Sequence, residues 1–391
     1  MFPDHGHRRI SVASPDDIAT ARRIAAERAN GVLAAEEAAR LDSLVAVLSG
    51  YMLGRPDGTL LIARMRSGAG VECLAYDRDP ATTELPPDVA LGLGADLEAA
   101  RRLADRFHIH ATPGIGSALL VRVLRPGADD SPSADAMAEA GSVMVERQDG
   151  ETVRREPFID HWFVRCSPAR GPDGPCGIAL MIDGQIEPDD QAAGQAAGQA
   201  VDQAAGGGGE DARSGPFTRM TPEVIAQVET VVAATVPDLP APVVVNAIRR
   251  DLRARPELGL SHDPVLKQIG RSALAILRFD GKAVDYTALG TLAGAVVRPQ
   301  EILALGARWA MVGFNPLAPA SVHLLWGPGD HVVLYTSGCA RLPALFIHRD
   351  LHKVDPTLAA LVLLRDGVVR DDDHTILVLR NRADRVSVSS G

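Results

Sequence analysis

Hydrophobic and polar positions in the first third of the chain alternate between a helical and an extended period. RRISV (8–12) reads as a short strand, followed by SPDDIATARRIAAERANG (14–31) as a helix. Ser14 is placed to cap it, Pro15 suits the first helical position, and Asp16 and Asp17 face the positive end of its dipole. Gly31 stops it. Leu41, Leu44, Val45, Leu48 and Met52 recur at helical spacing and predict a second helix. TLLIARM (59–65) and VECLAYD (71–77) predict a strand pair around a glycine-containing turn. A third helix is expected over about Ala95–Phe107, and GSALLVRVL (116–124) closes the unit as a strand.

RPGADDSPSAD (125–135) has the Pro, Gly, Ser and Asp content of a linker, short enough for fixed packing or for independent motion. A strand-rich region follows to about residue 186. The Ala/Gln/Gly-rich segment 187–215 holds too little apolar surface to offset its ordering entropy, and reads as a disordered insertion. Beyond it, TPEVIAQVETVVAAT (221–235) and APVVVNAIRRDLRARP (241–256) predict helices, the first capped by Thr221. SALAILRF-DG-KAVDYTAL predicts a hairpin turning at Asp280-Gly281. Strands are expected at GARWAMVGF (306–314), SVHLLW (321–326), HVVLYTS (331–337) and HTILVLR (374–380). A helix capped by Asp355 is expected over DPTLAALVLLRDG. The pattern is α+β: a unit at 8–124, a linker at 125–135, and a second unit at 136–381 interrupted by the insertion.

Composition narrows the function classes. The 391 residues suit two or three domains. Net charge is −10 with no basic block, which argues against a nucleic-acid partner. Cys73, Cys166, Cys176 and Cys339 form no CxxC pair and read as reduced thiols, so a cytoplasmic location is expected. No run of 18 apolar residues predicts membrane insertion, and the N-terminus lacks the apolar stretch of a signal peptide.

The first unit resembles the anti-sigma-factor kinases of the GHKL ATPase class, particularly the RsbT-like kinases of stressosomes, in an α/β sandwich. The resemblance rests on element order, on Asp77 in AYDRDP, and on Gly92 and Gly94 in LGLGAD. It implies that Asp77 reads adenine and that Gly92 and Gly94, ahead of a helix N-terminus, lie beside phosphates. Val47 and Tyr51 stand where the class has an acidic residue and a metal-holding Asn, and Asp79 replaces a glycine. Phosphoryl transfer depends on metal and positioned charge, so neither ATP turnover nor kinase activity is expected.

The second unit resembles the SpoIIE/RsbX-like branch of the metal-dependent (PPM-type) Ser/Thr phosphatases, in which an antiparallel β-sandwich is flanked by helices. GETVRREPFIDHWFV, CGIALMIDG, YTSG and RDDDHTILVLR carry the likeness. It implies two Mg²⁺ or Mn²⁺ ions held by oxygen ligands that converge from strand ends. Asp183 would bridge the ions, Gly184 would offer its carbonyl, Asp372 would be the terminal ligand, and Asp160 would act through a water. Ser337 stands at a third aspartate position, which weakens the set. Asp371 and Asp373 are expected to face away from Asp372. The insertion follows where the family usually has a Gly-His-Gly-like segment, and Glu187, Asp189 and Asp190 are further carboxylates there. The implied partners are phosphorylated STAS-domain proteins of a partner-switching pathway. Two functions stay open: a phosphoserine/phosphothreonine phosphatase, or a catalytically decayed protein that binds the same partners.

Other chemistry is weaker. His108 and His110 share one side of a predicted strand without a third ligand. Ser167 and Ser337 lack a His-Asp framework. Cys339 reads as packed, and Trp162, Trp309 and Trp326 read as anchors of a core or interface.

Overall fold

The computed structural model describes residues 6–83, 94–131, 136–145, 160–171, 174–183, 222–236, 239–254, 273–289, 292–306, 321–336, 340–368 and 373–382. The insertion 187–215, Thr221, the strand expected at 306–314 beyond Gly306, and Trp309 lie outside them. So do Cys339, Gly92, Gly184, Ser337 and Asp372.

The first unit runs β1 (Arg8–Ser11), α1 (Pro15–Ala29), α2 (Ala35–Met52), β2 (Thr59–Arg64), β3 (Gly70–Tyr76), α3 (Ala95–Leu103), β4 (Arg106–Thr112) and β5 (Gly116–Leu124). Its strands form one antiparallel sheet in the order β1-β2-β3-β5-β4. At the start of α1 the Asp17 carboxylate accepts the Ser14 amide at 2.7 Å, as the capping reading requires. One face of the sheet packs Leu60, Ile62, Cys73 and Val121 against α1–α3. The other face buries Leu61, Leu74, Tyr76 and Leu120 against the second unit. With both faces covered, β2 is apolar without alternation.

The expected third helix ends sooner than Phe107. Asp105 takes the chain out of it: its carboxylate holds Arg40 at 2.7 Å and the Leu124 amide at 2.7 Å. Arg106 and Phe107 therefore enter β4 beside β5. The segment after β5 is fixed rather than free over its described part. Arg125 donates its amide to Ala69 O at 2.8 Å, and Asp130 is paired with Arg106 at 2.9 Å and Arg122 at 3.1 Å.

The second unit contains β6 (Ala138–Val145), β7 (His161–Gly171), β8 (Gly174–Asp183), α4 (Pro222–Ala234) and α5 (Ala241–Arg253). It continues through β9 (Ala273–Asp280), β10 (Ala283–Leu289), β11 (Ala293–Arg298), β12 (Glu301–Ala304), β13 (Val322–Leu325) and β14 (His331–Tyr335). It closes with α6 (Leu342–His348), α7 (Pro356–Gly367) and β15 (His374–Asn381). Two five-stranded antiparallel sheets result, β13-β10-β9-β8-β7 and β12-β11-β14-β15-β6. Their inner faces meet around Met181, Leu277, Phe279, Leu334 and Leu377, with Trp326 fully buried among them. The Asp280 side chain accepts the amides of Lys282 at 2.8 Å and Ala283 at 2.7 Å, so the β9–β10 turn centres on Gly281-Lys282, one residue later than expected.

Helices α4 and α5 cover the outer face of the first of these sheets. Helices α6 and α7 cover the other and also carry the sheet of the first unit. Packed on two sides, α7 is buried almost throughout, Thr357 and Arg365 included. Asp355 caps it by accepting the Thr357 amide at 2.8 Å. Strand β6 comes so close that a Cβ on Gly141 would lie 2.1 Å from that amide nitrogen.

Candidate functional site

Strand parity assembles the site at one end of the sandwich. Along β8, Ile178, Leu180 and Ile182 face α4 and α5, while Ala179 and Met181 face the opposite sheet. Asp183 continues the inward set and is 6% exposed. Along β7, Trp162 and Val164 point inward, and Asp160 continues that series at 5% exposure. His161 pairs with Ile182, so the register carried one step further sets Asp160 opposite Asp183. From the other sheet, Val332 and Leu334 lead to Thr336, and Leu377 and Leu379 lead back to Thr375 and Asp373.

The two sheets are tied together at this end. Thr375 Oγ1 donates to Asp160 Oδ2 at 2.7 Å. Thr336 and Thr375 exchange two further bonds, Thr375 N to Thr336 Oγ1 at 3.1 Å and Thr336 N to Thr375 O at 3.1 Å. Asp373, just ahead of β15, is 8% exposed. Asp160 and Asp183, predicted from separate motifs, are therefore set opposite each other. Asp373, expected to turn away from the site, instead continues the inward parity of Leu377 and Thr375 on the facing sheet. Thr336 and Thr375 were not singled out from sequence. The signal for Thr375 was the threonine of the final D-D-x-T stretch.

The donor chemistry fits a hard divalent cation: buried carboxylates meet at strand ends in a polar edge of an apolar sandwich. Among the described residues, no group of three or more His, Cys, Asp or Glu side chains is arranged to hold a metal ion. Gly184, Ser337 and Asp372 adjoin this end in the chain but lie outside the described residues.

A second cluster borders the site. His161 Nε2 lies 2.8 Å from Glu229 Oε2 on α4, and Arg66 from the β2–β3 turn reaches both side chains. Burial lowers the His161 pKa, opposed by Glu229. The bond to His161 holds the Glu229 carboxyl below its usual range. Burial lowers the Arg66 guanidinium, partly offset by Glu229. This cluster had no sequence signal, because its members come from both units.

In the first unit Asp77 is fully buried at the end of β3. Its carboxylate accepts the Ser117 amide at 3.0 Å, the Ser117 hydroxyl, and the Asp79 amide at 3.1 Å, and it pairs with Arg55 at 3.3 Å. Gly116 passes close by at φ +151, where a Cβ would strike the Asp77 carbonyl. Arg55 also lies 4.0 Å over the Tyr51 ring. Val47 and Tyr51 pack against the helical core of the unit, and Gly94 precedes α3 as its N-cap. His108 and His110 both lie on β4, opposite Leu120 and Ala118.

Among the described residues no helix is long and apolar enough to cross a membrane. No protein-family model and no curated protein matches the chain. Similar solved structures include the PP2C phosphatase domain, with a fragment of the regulatory domain, of the cell fate determinant SpoIIE from Bacillus subtilis. It is 14% identical, with 80% of this chain and 79% of that one covered, at a TM-score of 0.40. The serine/threonine phosphatase PstP/Ppp of Mycobacterium tuberculosis is 15% identical over 63% of this chain and 100% of that one, at a TM-score of 0.38. RsbX, solved in complex with magnesium, is 13% identical over 62% and 95% of the two chains, at a TM-score of 0.38.

Proposed function

We propose that the second unit is a divalent-cation-dependent phosphatase acting on phosphoserine or phosphothreonine in a bacterial partner-switching pathway. The supporting observation is the register that sets the buried carboxylates Asp160 and Asp183 opposite each other at one end of the sandwich. A bound Mg²⁺ or Mn²⁺ pair would supply charge to a phosphoryl group and lower the pKa of water. Asp183 would hold the cations with the Gly184 carbonyl and a carboxylate of the Asp372-Asp373 pair, and Asp160 would orient water beside them. Thr375 would fix Asp160 by the bond it donates. The substrates would be small phosphorylated STAS-domain proteins in the cytoplasm.

The first unit would be a decayed GHKL-type module that does not turn over ATP. Four donors already occupy the Asp77 carboxylate, so an adenine amino group would have to displace them. Tyr51 offers a phenol where metal chemistry would need an amide oxygen.

Ser337 favours a second reading, in which the chain binds the same partners without turnover, because a hydroxyl there removes one negative charge from the ligand set. The test is Mn²⁺-dependent release of phosphate from a phosphorylated STAS protein and from p-nitrophenyl phosphate, with wild type and Asp183→Asn. Turnover that Asp183→Asn abolishes supports the enzyme. Tight partner binding without turnover supports the second reading instead.

A further inference from the structure

The first unit touches the second in two distinct ways. Arg78, Arg122 and Arg365 make bonds that run through α7: Arg122 Nη2 to Thr357 Oγ1 at 3.0 Å, Arg365 Nη2 to Thr112 Oγ1 at 2.7 Å, and Arg78 Nη2 to Arg365 O at 2.5 Å. Arg66 instead reaches the sheet that carries Asp160 and Asp183. It stands in the tight turn between β2 and β3, where Met65 donates to Gly70 O at 3.0 Å and Gly68 adopts φ +68. Its Nη2 lies 3.3 Å from Glu229 Oε1, 3.4 Å from Glu229 Oε2 and 2.9 Å from His161 Nε2. The guanidinium sits 5.1 Å over the Trp162 ring.

Glu229 is the hub of this cluster. His161 Nε2 can either donate to the carboxylate or accept from arginine, and the 2.8 Å contact to Glu229 is the shorter. With Nε2–H given to Glu229, Arg66 supplies the second charge on the same carboxylate. The side chains are largely withdrawn from water, at 19% exposure for Arg66 and 25% for Glu229. Arg66 Nη1 is buried with no hydrogen-bond partner.

The position explains what the cluster can do. His161 and Trp162 open β7, an edge strand paired on one side with β8. Asp160 directly precedes them. We propose that Arg66 is a positioning residue: through Glu229, His161 and Trp162 the first unit fixes the start of β7, and with it Asp160, in the geometry a divalent cation needs. This rests on the metal-site reading of the sandwich end. Movement of the β2–β3 turn would then change cation affinity at a site in the other unit.

The test is calorimetric titration of the full chain with Mn²⁺, comparing wild type, Arg66→Ala, Arg66→Lys and Thr357→Val. A residue that hydrogen-bonds a metal ligand is worth roughly tenfold or more in affinity. Arg66 acts one step further out, through His161 and Trp162, and a smaller, severalfold loss is expected for Arg66→Ala. Arg66→Lys keeps the charge and should recover most of the affinity. Thr357→Val removes a contact between the units at α7 and should bind Mn²⁺ as wild type does. If Arg66→Ala fails to fold by circular dichroism, Glu229→Gln carries the same expectation. Wild-type affinity in Arg66→Ala, or in Glu229→Gln where that variant stands in, overturns the inference while leaving the metal site intact. An equal loss in Thr357→Val also overturns it, because the effect would then be general loosening. Absence of Mn²⁺ binding in wild type overturns the metal-site reading itself and this coupling with it.

Discussion

Thr375 donates its hydroxyl to Asp160 at 2.7 Å, joining β15 in one sheet of the sandwich to the residue directly ahead of β7 in the other. The bond is buried and spans 215 residues of sequence. It sets one carboxylate of the candidate site against the facing sheet.

Thr375→Val keeps the shape of the side chain and removes the donor. The buried Asp160 carboxylate then loses a partner, at a cost of about 1–3 kcal/mol. Urea denaturation should show that loss, and Mn²⁺ affinity should fall with it. Unchanged stability would mean that water replaces the hydroxyl freely.

His331 predicts a pH dependence. Its ring is buried against Phe346, 4.9 Å between centroids, and His352, at 5.3 Å. Burial first, and His352 second, push its pKa down to about 3 from an ordinary value of 6.5. Above about pH 6.5 both folded and unfolded chains carry it neutral, and its contribution is fully present. As pH falls below that value the unfolded chain takes up a proton that the folded one refuses. Stability should therefore drop by about 1.4 kcal/mol per pH unit toward pH 3. Denaturation curves of wild type and His331→Phe across pH 7 to 4 should diverge by that slope. Parallel curves would contradict the burial of His331.

Gly141→Ala tests the close approach of β6 to α7. The added Cβ would meet the Thr357 backbone nitrogen, which sits in a capped helix end and cannot swing aside. A loss of about 1–3 kcal/mol is expected from overpacking. Wild-type thermal stability in this variant would show that α7 shifts without cost.

The strands were legible where a short apolar run is bounded by polar turns, as in HVVLY and HTILVLR, which are buried on both faces. The end of α3 was not, because Asp105 leaves the helix for Arg40 and Leu124, contacts that no local pattern reveals. The hairpin at Asp280-Gly281 was legible as a turn but not in register, since the Asp280 side chain moves the turn one residue on. Asp160 and Asp183 were picked out only by the likeness of PFIDHWFV and CGIALMIDG to phosphatase motifs, and their placement opposite each other comes from the β7–β8 register. Arg66 was not: its partner Glu229 is 163 residues away and belongs to the other unit.

Ser337→Asp should restore the third carboxylate that the phosphatase resemblance calls for. Higher Mn²⁺ affinity by calorimetry is the expected result. Unchanged affinity would show that Ser337 does not occupy the matching position.

A divalent-cation site at this end of the sandwich would depend on Asp183. Calorimetric titration of wild type and Asp183→Asn with Mn²⁺ tests it most directly, with circular dichroism to establish that both fold alike. Saturable binding to wild type that Asp183→Asn abolishes is the predicted result. Equal binding by the two proteins, or none by wild type, would contradict it.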